Sequence, residues 1–175
     1  MKAAYAGVPG AFSHEACLSF LPQHEPVPVP GFAEVVAAVL SGDAECGVLP
    51  VENNSAGKVE EAQALLRNPQ IKVVAEHELP VRMHLLVLPG VELGQIGTAV
   101  SHPVALKQCA RTLERLGLAT EPASNTAVAA QSLTDRTKAV LASAAAAAAY
   151  GLTILLQDVH DRTDNFTRFA VFSRR

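Results

Sequence analysis

Lys138-Ala139-Val140-Leu141-Ala142, followed by Ser143, the run Ala144 to Ala149, Tyr150 and Gly151, carries the rhythm of the whole chain. After Lys138 the next four residues are an apolar run, and the five together have strand length. Alanine has the highest helix propensity of any residue, and Gly151 stands where a helix takes its left-handed C-terminal position. An alanine tract can be low-complexity sequence, but a strand before it and a glycine after it predict a close-packed helix over 144–150. Strand then helix is the repeating unit of an α/β fold.

The alternation continues in both directions. Downstream, strands are predicted over 154–156 and 169–172. Upstream, strands are predicted over 2–6, 46–51, 71–75, 79–88 and 98–101, with Val27 and Val29 marking a further candidate. Phe32, Val35, Val36, Val39 and Leu40 recur at helical spacing and Ser41-Gly42-Asp43 ends them. Further helices are predicted over 13–20, 57–67, 103–116 and 125–133. The class is α/β with mostly parallel sheet.

Composition bounds the function. The chain has 175 residues, 49% hydrophobic and 18% charged, enough apolar material for a packed core rather than disorder. At ~150 residues per domain it holds one domain or two small lobes. No apolar run reaches the ~20 residues of a membrane span. Met1 to Ala6 meets Gly7 and Pro9 too soon for a signal peptide, so a cytoplasmic location is expected. A net charge of −3, no Trp and 5% aromatic residues argue against nucleic acid and anionic lipid as partners. Cys17, Cys46 and Cys109 are odd in number and widely spaced, which suits free thiols in a reducing compartment. His14, His24, His77, His84 and His160 lack ligand spacing, so no metal is expected.

Four polar segments each fall after a strand and at the start of a helix: Gly10 to Ser13, Glu52 to Gly57, Ser101-His102-Pro103 and Ser124-Asn125-Thr126. Helix N-termini present unpaired N–H groups and partial positive charge. Ligands of open α/β sheets bind beyond the carboxyl ends of the strands, so these segments together suggest an anion pocket. Each alone is also an ordinary helix cap. No GxGxxG, Walker loop, GxSxG or HExxH is present. A fifth segment, Asp161 to Phe169, packs acids, an amide, hydroxyls and guanidinium groups ahead of a terminal strand.

Gly7-Val8-Pro9-Gly10-Ala11-Phe12-Ser13, Gly47-Val48-Leu49-Pro50-Val51-Glu52-Asn53, Ser101-His102-Pro103 through Cys109, and Asn165-Phe166-Thr167-Arg168-Phe169 together resemble the prephenate dehydratases, in family order and spacing over nearly the whole chain. The resemblance implies a type II periplasmic-binding-like fold: two α/β lobes, about 1–77 plus 160–175 and about 78–159, with the active site in the cleft between them. It implies a carbon–oxygen lyase that turns prephenate into phenylpyruvate, water and carbon dioxide in phenylalanine biosynthesis, without a cofactor, as a homodimer.

Mapped residue by residue, the resemblance makes Thr167 the catalytic group, a hydrogen-bond donor to the departing hydroxyl. Ser13, Glu52, Asn53, Asn54, Ser55, Gly57, Ser101, Gln108, Thr126, Arg168 and Phe169 are the expected substrate-binding positions. Arg168 has the chemistry to clamp a carboxylate with two N–H bonds, although neighbouring strand residues face opposite sides. Glu52 contacts the substrate or orients Arg168. The chain departs from the family at Ala11, Asn54 and Val104, where Thr, Ser and Gln are usual. It stops at Arg175, and the expectation is a catalytic unit without the family's ACT regulatory domain. Arogenate dehydratase, acting on the amino analogue, is an alternative. A non-catalytic small-anion-binding module is another, since fold does not establish activity.

Overall fold

Apolar runs of four to six residues, each closed by Gly, Pro or a polar cluster, become strands, and the 3.6-spaced runs between them become helices. The computed structural model describes all residues, Met1–Arg175. In chain order the elements are β1 (Lys2–Ala6), α1 (Phe12–Phe20), β2 (Glu25–Val29), α2 (Phe32–Ser41), β3 (Cys46–Asn53), β4 (Gly57–Lys58), α3 (Glu60–Leu66) and β5 (Ile71–Pro80). Then follow β6 (His84–Val87), β7 (Thr98–Ser101), α4 (Pro103–Gln108), α5 (Ala110–Arg115), β8 (Ala119–Pro122), α6 (Thr126–Gln131), β9 (Lys138–Ala142), α7 (Ala144–Tyr150), β10 (Thr153–Leu156) and β11 (Phe166–Arg174). They form two compact units, Met1–Val8 with Phe12–Val81 and Asp164–Arg175, and Pro9–Ala11 with Arg82–Thr163.

The first unit holds a sheet ordered β2-β1-β3-β11-β5, with β4 paired to β3. β2 carries two prolines and sits at the edge, where their missing N–H groups cost no ladder bond. β2, β1 and β3 run parallel, and β11 runs antiparallel to both its neighbours, β3 and β5. One face packs Val35, Val39, Leu49 and Phe172 beneath α2 and α3; the other packs Tyr5, Cys17, Phe169 and Val171 beneath α1. β11 therefore sends alternate side chains to opposite cores.

The second unit holds a sheet ordered β10-β6-β9-β7-β8. Here β7 is parallel to β8 and β9, while β6 runs antiparallel to both its neighbours, β9 and β10. Both sheets are mixed, with less parallel pairing than the alternation suggested. The alanine run of α7 has a packing reason. The backbone of Gly10, at φ +88°, lies so close that a Cβ there would stand 2.7 Å from the Cα of Ala146. Ser143 Oγ accepts from Ala146 N at 3.1 Å and donates to Gly10 O at 2.7 Å, and the Tyr150 hydroxyl donates to Pro9 O.

Four boundaries differ from expectation. The helix placed over 57–67 begins only at Glu60, because Gly57 adopts φ +88° and pairs back on Asn53 as β4. The strands placed over 71–75 and 79–88 are one strand through Pro80 and a second from His84. The helix placed over 103–116 breaks at Cys109, whose φ of −114° leaves the helical region, and the Asp161 carboxylate accepts from Arg111 N and Thr112 N at 3.0 and 3.4 Å to start α5 afresh. β8 carried no strand signal, since all four of its residues are exposed.

Cys17, Cys46 and Cys109 are free. Burial pushes the Cys17 and Cys109 thiols up to about 12. No helix is long and apolar enough to cross a membrane.

Candidate active site

The site is built on the turn after β3. The side-chain oxygen of Asn53 accepts from the backbone N–H groups of Ser55 and Ala56 at 2.9 and 3.0 Å, an Asx turn that sets the orientation of the amide. Its Nδ2 must then face β11. It donates to Thr167 Oγ1 at 2.9 Å, Phe166 O at 3.0 Å and Asn165 Oδ1 at 3.2 Å. Asn54 ties the same turn to the chain before β11, donating to Asp164 O at 2.5 Å and accepting from Phe166 N at 3.0 Å. Its amide makes both bonds at once, the physical content of Asn at this departure from the family pattern.

Thr167 is half-buried, and its oxygen is an acceptor from Asn53. No protein group accepts its proton, so the O–H is available to a ligand. Asn53, expected to bind substrate, instead spends its amide on the protein and serves to orient Thr167. Ser55 Oγ donates to Asn165 Oδ1 at 3.4 Å.

Glu52 and Arg168 lie on the other face of the sheet. They are cross-strand partners one step from the Asn53–Thr167 pair, and their charges meet at 3.2 Å. Glu76 is 4.0 Å from the same guanidinium. Both line a cleft of about 290 Å³ with Gln63, Leu66 and Arg67 of the α3 side. A carboxylate clamp by Arg168 beside the Thr167 hydroxyl is therefore corrected. Phe169 is also corrected: it is 1% exposed, packed in the core near Phe20. Gly57 supplies the left-handed turn, and Ser13 lies within the first turn of α1 rather than ahead of it.

Ser101, Gln108 and Thr126 belong to the second unit. Ser101 is fully buried and donates to Leu141 O at 2.8 Å, so its proton is taken. Gln108 ends α4 half-buried, and Thr126 opens α6. The helix starts expected to hold an anion are capped from within the chain. His102 Nδ1 accepts from Val104 N, and Asn125 Oδ1 accepts from Ala127 N and Val128 N. No group of three or more His, Cys, Asp or Glu is placed to hold a metal ion.

Asn165 is the residue that the reading of the motif passed over. It stands one residue before β11, where its side-chain oxygen meets the same Asn53 nitrogen as Thr167.

The family model for prephenate dehydratase matches residues 3–175. The chain belongs to the prephenate dehydratase family. Arogenate dehydratase 1 of Petunia hybrida is 40% identical over 99% of this chain and 42% of its own length. The chain thus spans less than half of that relative. Among solved structures, GqqA, described as a novel type of quorum quenching acylase, superposes with a TM-score of 0.93 at 37% identity over 100% of this chain and 64% of its own. The prephenate dehydratase of Arthrobacter aurescens in complex with L-Phe gives 0.86 at 26% identity, over 100% of this chain and 61% of its own. A nutrient binding protein from Burkholderia cenocepacia bound to methionine gives 0.52 at 11% identity over 99% of this chain and 84% of its own, a likeness of fold alone.

Proposed function

We propose that this prephenate dehydratase family chain converts prephenate to phenylpyruvate, water and carbon dioxide. The observation that carries the reading is the Thr167 hydroxyl, whose oxygen is held by Asn53 and whose proton has no protein acceptor. Prephenate is a dianion. As the ring C–O bond breaks, the C–C pair of the departing carboxylate enters the ring, which becomes aromatic. The hydroxide leaves as water by taking up one proton, supplied in the end by solvent, and phenylpyruvate retains one carboxylate. An alcohol proton is held far above neutral pH, so Thr167 acts as a fixed hydrogen-bond donor to the leaving oxygen. Such a donor is worth ~10²–10³ in rate.

Arogenate is the second reading, favoured by the 40% identity to an arogenate dehydratase. The decisive experiment incubates purified chain with prephenate, arogenate or an N-acyl-homoserine lactone, the last because a bifunctional N-acyl-homoserine lactone acylase/prephenate dehydratase of Komagataeibacter europaeus is 38% identical over 98% of this chain and 62% of its own length. Phenylpyruvate from prephenate is the expected product. Phenylalanine from arogenate at a higher kcat/KM transfers the reading to the amino analogue, and acyl release without either product overturns it. The same reading places the chain in a reducing cytoplasmic setting, in keeping with three free cysteines, and as a homodimer.

A further inference from the structure

We infer that the side-chain amide of Asn165 is a substrate-binding group, donating from Nδ2 to an oxygen of the anionic substrate beside the Thr167 hydroxyl. This rests on the proposed reading of the site.

The argument is one of forced orientation. Backbone N–H groups of Ser55 and Ala56 can only meet an oxygen, so Asn53 presents Oδ1 to them and Nδ2 to β11. A nitrogen donor 3.2 Å from the Asn165 amide in turn requires its oxygen on that side, and Ser55 Oγ donates to the same atom. The Asn165 Nδ2 is thereby turned away from Asn53, and no protein group accepts from it. Yet Asn165 is only 7% exposed, and its carbonyl is fixed by Val81 N at 2.8 Å. The Nδ2 atom itself is not sealed from solvent, so a ligand oxygen can take the place that water holds there. A donor fixed in direction, with no protein acceptor to compete, is placed to meet such an oxygen.

Its neighbour identifies the ligand chemistry. Asn165 Oδ1 and Thr167 Oγ1 accept from the same Asn53 nitrogen, so the two outward donors are held by one network. Both are neutral donors, suited to carboxylate, keto or hydroxyl oxygens of a small hydroxy or keto acid. Glu52, the neighbour of Asn53, is paired with Arg168 on the opposite face, and Asp164, which adjoins Asn165 in sequence, is engaged by another group.

The test compares the full chain with Asn165→Asp, which keeps the acceptor oxygen but replaces the donor with negative charge. Binding of prephenate and of phenylpyruvate is measured by calorimetry, and turnover separately. The variant is expected to bind both at least tenfold more weakly, to raise KM more than it lowers kcat, and to recover affinity as pH falls and its carboxyl regains a proton. A 15N-labelled parent chain supplies a readout free of mutation: the Asn165 amide resonances shift on saturation with phenylpyruvate. Unchanged binding in a folded variant, or amide resonances that stay in place on saturation, overturns the inference. A parent that binds the anions without releasing phenylpyruvate sinks the proposed reaction alone, and the binding comparison still decides Asn165. A parent that binds neither anion overturns both.

Discussion

Asn53 and Thr167 face each other across β3 and β11, with the Asn53 amide nitrogen 2.9 Å from the Thr167 hydroxyl oxygen. The amide can only donate there, so the threonine proton is turned away from Asn53. One step along the same strand pair, Glu52 and Arg168 meet on the reverse face. The hydroxyl–amide pair and the ion pair thus lie on opposite faces of the sheet.

Thr167→Val preserves shape and removes the donor. Turnover of prephenate is expected to fall ~10²–10³-fold, the worth of one such donor. Thr167→Ser keeps a hydroxyl and is expected to remain within about tenfold of the parent by the same measure. A valine variant as active as the parent takes Thr167 out of the mechanism.

Asn53→Asp still accepts from Ser55 N and Ala56 N but faces Phe166 O and Asn165 Oδ1 with oxygen. Opposed acceptors cost about 1–3 kcal/mol, readable as a lowered urea midpoint. The Thr167 hydroxyl then turns its proton to the new carboxylate, and kcat is expected to fall with it. An unaffected kcat in the folded variant removes Asn53 from its orienting role.

Glu52→Gln and Arg168→Met test the reverse face. The pair is partly exposed, with side chains 33% and 38% accessible, so its loss costs roughly 0.2–1 kcal/mol. KM for prephenate is expected to stay within a few-fold of the parent, since both side chains lie on the face opposite Thr167. A large rise in KM for Arg168→Met restores the carboxylate clamp.

His84 is buried and accepts from Asp158 N through Nδ1 at 3.1 Å. Burial holds its pKa below the usual 6.5; Asp158 opposes this, while Arg82 and His160 reinforce it. Burial lowers His14 likewise. The unfolded chain therefore binds more protons between pH 6.5 and the lower folded value. Stability is complete above pH 6.5 and declines as pH falls below it. Thermal midpoints from pH 8 to 5 are expected to drop on the acid side, less steeply in His84→Asn; a flat profile contradicts the linkage.

Gly10→Ala places a Cβ against Ala146 and requires φ +88° of an L-residue. Such strain costs of order 1–3 kcal/mol before the clash is counted. The urea midpoint is expected to fall accordingly, while Gly42→Ala, with open space around it, loses less.

Residue types and their spacing carried the α/β class and the alanine helix closed by Gly151, because these follow from propensity and periodicity along a local stretch; Thr167 was singled out by the family resemblance of its motif. The break at Cys109 was invisible, since the group that caps α5 is Asp161, fifty positions away. β8 was invisible for a different reason: an exposed edge strand shows no hydrophobic alternation.

The family's motifs named Glu52, Asn53, Thr167 and Arg168 together as candidate site residues. Only tertiary structure decided their division into an orienting amide and a free hydroxyl on one face and an ion pair on the other. The register of β3 against β11 makes that division, because side chains alternate across a sheet while adjacency in sequence does not distinguish its faces.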